Sequence, residues 1–130
     1  MIIRIVEDHI SILLNAYIIK YEINSVRKGH LTMTINKNLD GSKLTVALEG
    51  RLDTTTSPQL ETELRNSVDG ITELIFDLAD LDYISSAGLR VLLSAQKVMN
   101  KQGEMKIVNV KPEILEIFDV TGFVDILNIV

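Results

Sequence analysis

The chain of 130 residues is 46% hydrophobic, a composition that favours one domain with a sizeable core. Its formal net charge is −5, and no basic stripe with interleaved aromatic residues is visible, so nucleic acid is not expected as a direct partner. The chain contains no cysteine, which excludes disulfides, thiolate metal sites and cysteine nucleophiles and fits a reducing compartment.

Residues 1–32 form an atypical segment that is rich in isoleucine. Its longest charge-free apolar run, His9 to Ile19, is shorter than the about 20 residues that cross a bilayer, so no membrane span is expected. Neither a signal-peptide pattern nor the basic face of a membrane-lying helix is visible. Two interpretations stay open: a genuine N-terminal helix, which would tend to self-associate as a homodimer, or a translated leader before a native start at Met33. The folded domain is predicted to span residues 33–130.

Two strands are predicted at the start of this domain. Leu44, Val46 and Leu48 alternate with other residues, and this period of two indicates a half-buried strand. The Asp-Gly pair at 40–41 is a hairpin signal. The stretch 34–38 is therefore predicted to be a short partner strand.

A helix with clear end signals follows. Ser57 is predicted to be its N-cap and Pro58 its first helical residue. From Leu60 onward, apolar residues recur at helical spacing until Gly70, which ends the helix. The continuous apolar run at 73–78 then predicts a strand that is buried on both faces.

Two more helices and one more strand complete the domain. The patterns predict a helix that ends at Gly103, a strand over 104–110, a helix opened by Pro112 and a short apolar tail over 123–130. The element order is β-β-α-β-α-β-α. This order predicts an α/β fold with a mainly parallel sheet and right-handed crossovers.

The residues offer few candidates for catalysis. The histidines are His9 and His30, both in the atypical segment, and no nucleophile-elbow pattern surrounds the serine pair at 85–86. No phosphate-binding glycine motif occurs. The carboxylates at 53, 77, 80 and 82 have no histidine or cysteine nearby in sequence that would make a metal site. We therefore expect a protein that is not an enzyme and has no metal or other cofactor.

The sequence SSAG at 85–88 allows two interpretations of its serines. Either Ser85 or Ser86 is a helix N-cap, which contributes about 1 kcal/mol. Alternatively, Ser86 is a kinase target, because a phosphate at a helix N-terminus meets favourable unpaired N–H groups. Arg90, four residues further on, could also reach such a phosphate. A phosphate there would change what a partner contacts without unfolding the domain.

Three linked motifs resemble those of bacterial anti-sigma factor antagonists, which are STAS domains. They are GRLDTTTSPQLETEL, ELIFDLADLDYISSAGLRVLL and KIVNVKPEILEIFDVTGF, and the resemblance covers about residues 34–130. It implies a mixed, mainly parallel sheet of four or five strands with helices packed on one face. It also implies a cytoplasmic binding protein that binds an anti-sigma factor serine kinase and so releases a sigma factor. Phosphorylation would switch this binding off, and a serine/threonine phosphatase would restore it.

The resemblance also places the candidate site. The family's target serine often lies in Asp-Ser-Ser-Gly, and matching on Gly88 assigns the target to Ser86. Ser85 then stands where the aspartate often stands, which is a departure from the family pattern. Asp53 matches a position in the loop near the target serine, with the alternative that it only bonds its own backbone in a turn. The residues expected to contact a partner are Asp53, Thr54, Thr55, Ser85, Ser86, Gly88, Leu89 and Arg90.

Two further expectations complete the sequence interpretation. Arg51, at the end of a strand, is predicted to be a solvated charge. The alternative function is an accessory subunit of a transport or lipid-trafficking system, because STAS domains also occur there.

Overall fold

A computed structural model describes residues 32–130 of the chain. The predictions made for residues 1–31, including the leader and the homodimer, lie outside the described residues. The elements, in chain order, are strands β1 (Met33–Asp40) and β2 (Lys43–Leu52), helix α1 (Ser57–Ser67), strand β3 (Glu73–Ile84), helix α2 (Ser86–Gln102), strand β4 (Glu104–Val108), helix α3 (Pro112–Val120) and a 3₁₀ helix (Phe123–Asp125). This order confirms the predicted β-β-α-β-α-β-α arrangement.

The four strands form one mixed sheet in the order β1-β2-β3-β4. β1 and β2 are antiparallel and are joined by a tight turn in which Gly41 has a φ of 62°. β3 runs parallel to β2, and β4 runs parallel to β3. The end of the chain lies beside β4, where Ile129 forms an isolated parallel bridge with Ile107.

The core lies on one face of the sheet. In β3, Leu74, Phe76 and Leu78 are buried, whereas Ile75 and Asp77 between them are only half-buried. The prediction that this strand is buried on both faces is therefore wrong. Successive right-handed crossovers that step in one direction along a sheet place their helices on the same side, so only one face is covered. The prediction that the helices pack on one face is confirmed.

Parallel pairing brings two loops together at one edge of the sheet. Leu52 at the end of β2 is the register partner of Ile84 at the end of β3. The backbone N–H of Ser85 continues this pairing, because it donates to the Leu52 carbonyl oxygen over 2.9 Å. As a result, the loop 53–56 lies beside the N-terminus of α2.

Among residues 32–130, no helix has the length and apolar character needed to span a membrane.

Candidate functional site

The two adjacent serines have different environments. Ser85 is the N-cap of α2, is only 2% exposed, and its Oγ accepts a long hydrogen bond of 3.4 Å from the Gly88 N–H. Ser86 is the first residue of α2 and is half-buried. The capping role thus falls to Ser85, and Ser86 is the serine whose side chain retains access to solvent.

Gly88 and Leu89 pack against the end of the sheet. Leu89 is fully buried, and a Cβ added to Gly88 would lie 2.7 Å from Leu52 Cγ and 2.9 Å from the Leu52 carbonyl oxygen. Their expected role as direct partner contacts does not agree with this packing. They instead fix the first turn of α2 against β2, which positions Ser86 at the surface. Arg90, one residue further on, is exposed.

Asp53 organises the loop between β2 and α1. Its Oδ1 accepts hydrogen bonds from the Thr55 N–H (2.9 Å), the Thr55 hydroxyl (2.7 Å) and the Thr56 N–H (3.0 Å). Asp53 is itself buried, so its carboxylate is used by the loop and is not presented to a partner. This is the turn geometry that the sequence left as the alternative for Asp53. Thr54 and Thr55 form the exposed tip of the loop.

Helix α1 begins one residue earlier than predicted. Its N-cap is Thr56, and Ser57 is the first helical residue, with Pro58 second. The Ser57 hydroxyl donates to the Asp53 carbonyl oxygen and is buried. The prediction of Ser57 as N-cap is therefore wrong, because the turn around Asp53 already provides hydrogen-bond partners for the residues that begin the helix.

Arg51 is buried beneath this loop, so the prediction of a solvated charge is wrong. It is 5% exposed, its Nε lies 3.3 Å from Asp53 Oδ2, and its guanidinium carbon lies 4.1 Å from the ring centroid of Tyr83. A sequence signal for the ion pair existed. Arg51 lies on β2 and Asp53 directly follows the strand, so their side chains, two residues apart, could extend to the same side. Tyr83 could be found only from the register of β2 and β3, in which it is the partner of Arg51.

The pKa of the Asp53 carboxyl lies below its usual value of 3.8. Burial alone would raise this pKa, but hydrogen bonds from the Thr55 side chain, from the Thr56 and Thr55 N–H groups and from Arg51 together outweigh burial and lower it. A carboxyl whose pKa is depressed in the folded state stabilises the protein above its unfolded-state pKa. That stabilisation is lost as the pH falls through the folded-state pKa.

We expect Asp53→Asn to lower the free energy of unfolding at pH 7 by about 2 kcal/mol, because the amide leaves the buried Arg51 without its counterion. The difference from the wild type should shrink as the pH falls from 3.8 towards the lower folded-state pKa, because the unfolded wild-type chain then takes up a proton that the folded chain does not. Urea unfolding at pH 7 and pH 3 measures both quantities. Asp80→Asn, in an exposed part of β3, serves as the control. An Asp53→Asn penalty that is equal at both pH values would contradict the assignment.

Two of the other three carboxylates considered from the sequence, Asp77 and Asp82, have side-chain partners. Asp77 accepts from the Asn109 side chain over 3.1 Å, and Asp82 pairs with Lys111 over 2.7 Å. The hydrogen bond to Asp82 raises the pKa of Lys111. Within residues 32–130, no group of three or more histidine, cysteine or carboxylate side chains is placed to hold a metal ion.

A groove between α1 and α2 begins at the loop tip and continues along both helices. Next to Ser86 it is lined by Thr54, Pro58, Ala87 and Arg90. Further along, its walls become apolar and consist mainly of Leu64, Val68, Val91, Ala95 and Val98. Ser86, the loop tip and the mouth of this groove therefore form one continuous surface, here called the Ser86 surface.

The fold and this surface define a class of protein. Residues 32–130 form a four-stranded mixed sheet with helices on one face, and a partly exposed serine begins helix α2. The family model of the STAS domain matches residues 29–130, and the chain belongs to this family.

Named relatives are similar over most of the described chain. BtrV of Bordetella bronchiseptica, provisionally named an anti-sigma factor antagonist, is 41% identical over 101 residues, which are 76% of this chain and 85% of BtrV. The anti-sigma-B factor antagonist of Bacillus subtilis is 27% identical over 76% of this chain and 92% of its own.

Solved structures show the same fold. A crystal structure of an anti-sigma factor antagonist from Mycobacterium paratuberculosis matches with a TM-score of 0.70 at 22% identity, over 75% of this chain and 85% of that chain. Unphosphorylated SpoIIAA, an anti-sigma factor antagonist, matches with a TM-score of 0.66 at 16% identity, over 75% and 88%. Both matches confirm the α/β architecture predicted from the sequence.

Proposed function

We propose that this chain is a cytoplasmic anti-sigma factor antagonist that is switched by phosphorylation of Ser86. In the unmodified state it binds an anti-sigma factor that is also a serine kinase, and the sigma factor is released. Phosphorylation of Ser86 by that kinase ends the binding, and a metal-dependent serine/threonine phosphatase restores it. The observation that carries the proposal is the partly exposed Ser86 at the start of α2, in a chain that is 41% identical to BtrV over 101 residues.

The geometry favours Ser86 over Ser85 as the modified residue. The Ser85 hydroxyl is buried and caps α2, so a kinase could reach it only after the first turn of the helix had opened. Ser86 needs no such opening. Its phosphate would meet the N-terminal end of a 17-residue helix, where backbone N–H groups and the helix dipole favour an anion.

The phosphate is expected to act on the surface and not on the fold. A phosphoserine carries about −1.5 to −2 charges near neutral pH, and exposed Arg90 follows four residues later on the same face of α2. The modified domain therefore stays folded. A partner that fits a small hydroxyl at this position must instead accommodate a dianion.

Ser85 replaces the aspartate that often precedes the target serine in this family. In this chain the position is occupied by a buried hydroxyl that caps the helix, so the capping function is kept and the negative charge is not. We infer that recognition by the kinase relies on the Ser86 hydroxyl and the loop tip, without a carboxylate directly before the target.

Mass spectrometry tests the proposal. The protein is incubated with ATP and a candidate anti-sigma factor serine kinase, and intact mass and peptide mass are then measured. One added phosphate is expected, located on Ser86 and absent from Ser86→Ala. Ser42→Ala, an exposed serine in the turn before β2 that does not line the groove, is the control and should still gain the phosphate. A phosphate on Ser85 or Ser94, or no phosphate and no kinase binding, would overturn the proposal.

The relatives named above support the anti-sigma interpretation. They lend no support to the alternative of a transport or lipid-trafficking accessory subunit, and no feature of residues 32–130 favours that alternative.

A further inference from the structure

The buried Arg51 lies at the centre of a network that ends at the protein surface. Transfer of a charged guanidinium out of water is costly unless the charge is paired. Here the charge is compensated by Asp53, with 3.3 Å between Nε and Oδ2, and by the face of Tyr83, 4.1 Å from the guanidinium carbon. Arg51 thus holds one oxygen of the Asp53 carboxylate and rests on a side chain of the neighbouring strand.

The other oxygen of the carboxylate holds the loop tip. Asp53 Oδ1 accepts from the Thr55 N–H and the Thr55 hydroxyl, at 2.9 and 2.7 Å, and from the Thr56 N–H at 3.0 Å. The Thr56 hydroxyl forms a second link between the loop and β2, because it donates a hydrogen bond of 2.7 Å to the Arg51 carbonyl oxygen. The position of exposed Thr55 is therefore determined by the carboxylate, and the position of the carboxylate by Arg51.

This arrangement fixes the chemistry that the loop tip can offer. A hydroxyl has one proton to donate, and the Thr55 hydroxyl donates it to Asp53. Its oxygen keeps lone pairs that can accept. Thr55 therefore presents a hydrogen-bond acceptor to a partner and cannot at the same time donate to one.

We propose that Arg51 is a positioning residue for partner recognition: through Asp53 it orients Thr55 as an acceptor for a hydrogen-bond donor on the partner, such as an amide, lysine or arginine side chain. This inference rests on the proposed function, because it takes the Ser86 surface as the surface that binds the anti-sigma factor. It adds to that function a role for Arg51, which the sequence analysis placed in solvent. It also specifies that Thr55 accepts, and does not donate, the hydrogen bond to the partner.

The first test needs no partner. Amide hydrogen exchange is measured for wild type, Arg51→Met and Arg51→Lys. In Arg51→Met the Thr55 and Thr56 amides should exchange about tenfold faster, while buried β3 amides keep their protection. Arg51→Lys retains a positive charge for Asp53 and should restore part of the protection. Unchanged exchange at both threonines in both variants would overturn the positioning role.

The second test measures dissociation constants for the candidate anti-sigma factor serine kinase. Thr55→Val removes the hydroxyl with little change in shape and should weaken binding about tenfold, whereas Thr55→Ser should bind within about twofold of wild type. Arg51→Met should also weaken binding about tenfold, and the double variant Arg51→Met/Thr55→Val should be no weaker than either single variant. A merely structural effect of Arg51 would instead add to that of Thr55. Lys106→Met, which removes an ion pair in β4, is the control.

The outcomes separate the two proposals. If wild type does not bind the kinase, the proposed function fails, and the exchange experiment still decides whether Arg51 positions the loop. If wild type binds and Thr55→Val binds equally well, the proposed function stands and the acceptor role of Thr55 is overturned. If the losses of affinity in the double variant add up, the proposal that Arg51 acts on Thr55 through Asp53 is overturned.

Discussion

Homogeneous phospho-Ser86 protein is expected to bind the anti-sigma factor at least about 100-fold more weakly than the unmodified protein, a loss of about 3 kcal/mol. Ser86 is partly exposed and directly precedes Ala87, which lines the groove mouth together with Thr54, so a partner that covers this surface also covers the phosphate. A charge of about −2 that is covered without a matching cation loses more hydration than it regains.

Titration calorimetry with separately purified phosphorylated and unmodified protein measures the difference. Ser86→Ala should bind like the unmodified protein and should not respond to ATP, whereas Ser86→Asp, with one charge and a smaller group, should lose only part of the affinity. The melting temperature of the phospho-protein should be equal to or above that of the unmodified protein, because the N-terminus of α2 favours the anion. Tight binding by the phospho-protein would refute the switch. Loss of binding together with a large fall in melting temperature would show that the phosphate acts by unfolding.

The sequence was sufficient to predict those strands and helix ends that are determined by residues close together in the chain. The alternation at Leu44, Val46 and Leu48 predicted β2, and the glycine at 103 marked the end of α2 correctly. These signals depend on residues close together in the chain. The two possible roles of the serine pair, helix cap and phosphorylation target, were predicted in the same way, because the residues that begin a helix show a characteristic sequence pattern.

Features that depend on strand register could not be predicted in this way. The apolar run around Ile75 fits a strand buried on two faces equally well, and only the placement of all helices on one side decides against it. Arg51 was assigned to solvent because a charge at a strand end usually lies there, while its partner Tyr83 belongs to a strand about thirty residues away. The candidate site shows the same division. Ser86 was proposed from its position at a helix start and from the family resemblance, whereas the buried network beneath the loop was not predicted.

Gly88 illustrates how a motif position can matter to a site without touching a partner. The resemblance aligned Gly88 within the family motif, and it was therefore expected at the interface. In the structure it is a buried residue of the first turn of α2. Its missing side chain lets α2 approach β2 closely enough for the Ser85 N–H to reach the Leu52 carbonyl oxygen.

Gly88→Ala is expected to lower the free energy of unfolding by about 2 to 3 kcal/mol. The new Cβ would lie 2.7 Å from Leu52 Cγ, 2.9 Å from Ile84 Cγ1 and 2.9 Å from the Leu52 carbonyl oxygen. Two of these neighbours are side-chain atoms of the core and the third is backbone, so relief requires α2 to move outward. That movement stretches the hydrogen bond from Ser85 and displaces Ser86. Urea unfolding measures the loss of stability.

The effect on binding then follows from the displaced serine. Gly88→Ala protein that is still folded should bind the anti-sigma factor more weakly than wild type and should be phosphorylated more slowly, although residue 88 is buried. Ser94→Ala, an exposed substitution on the same helix, should leave stability within about 0.5 kcal/mol of wild type. Wild-type stability in Gly88→Ala would show that α2 does not depend on this close approach. Lost stability with unchanged phosphorylation would show that the position of Ser86 is not set by the packing beneath it.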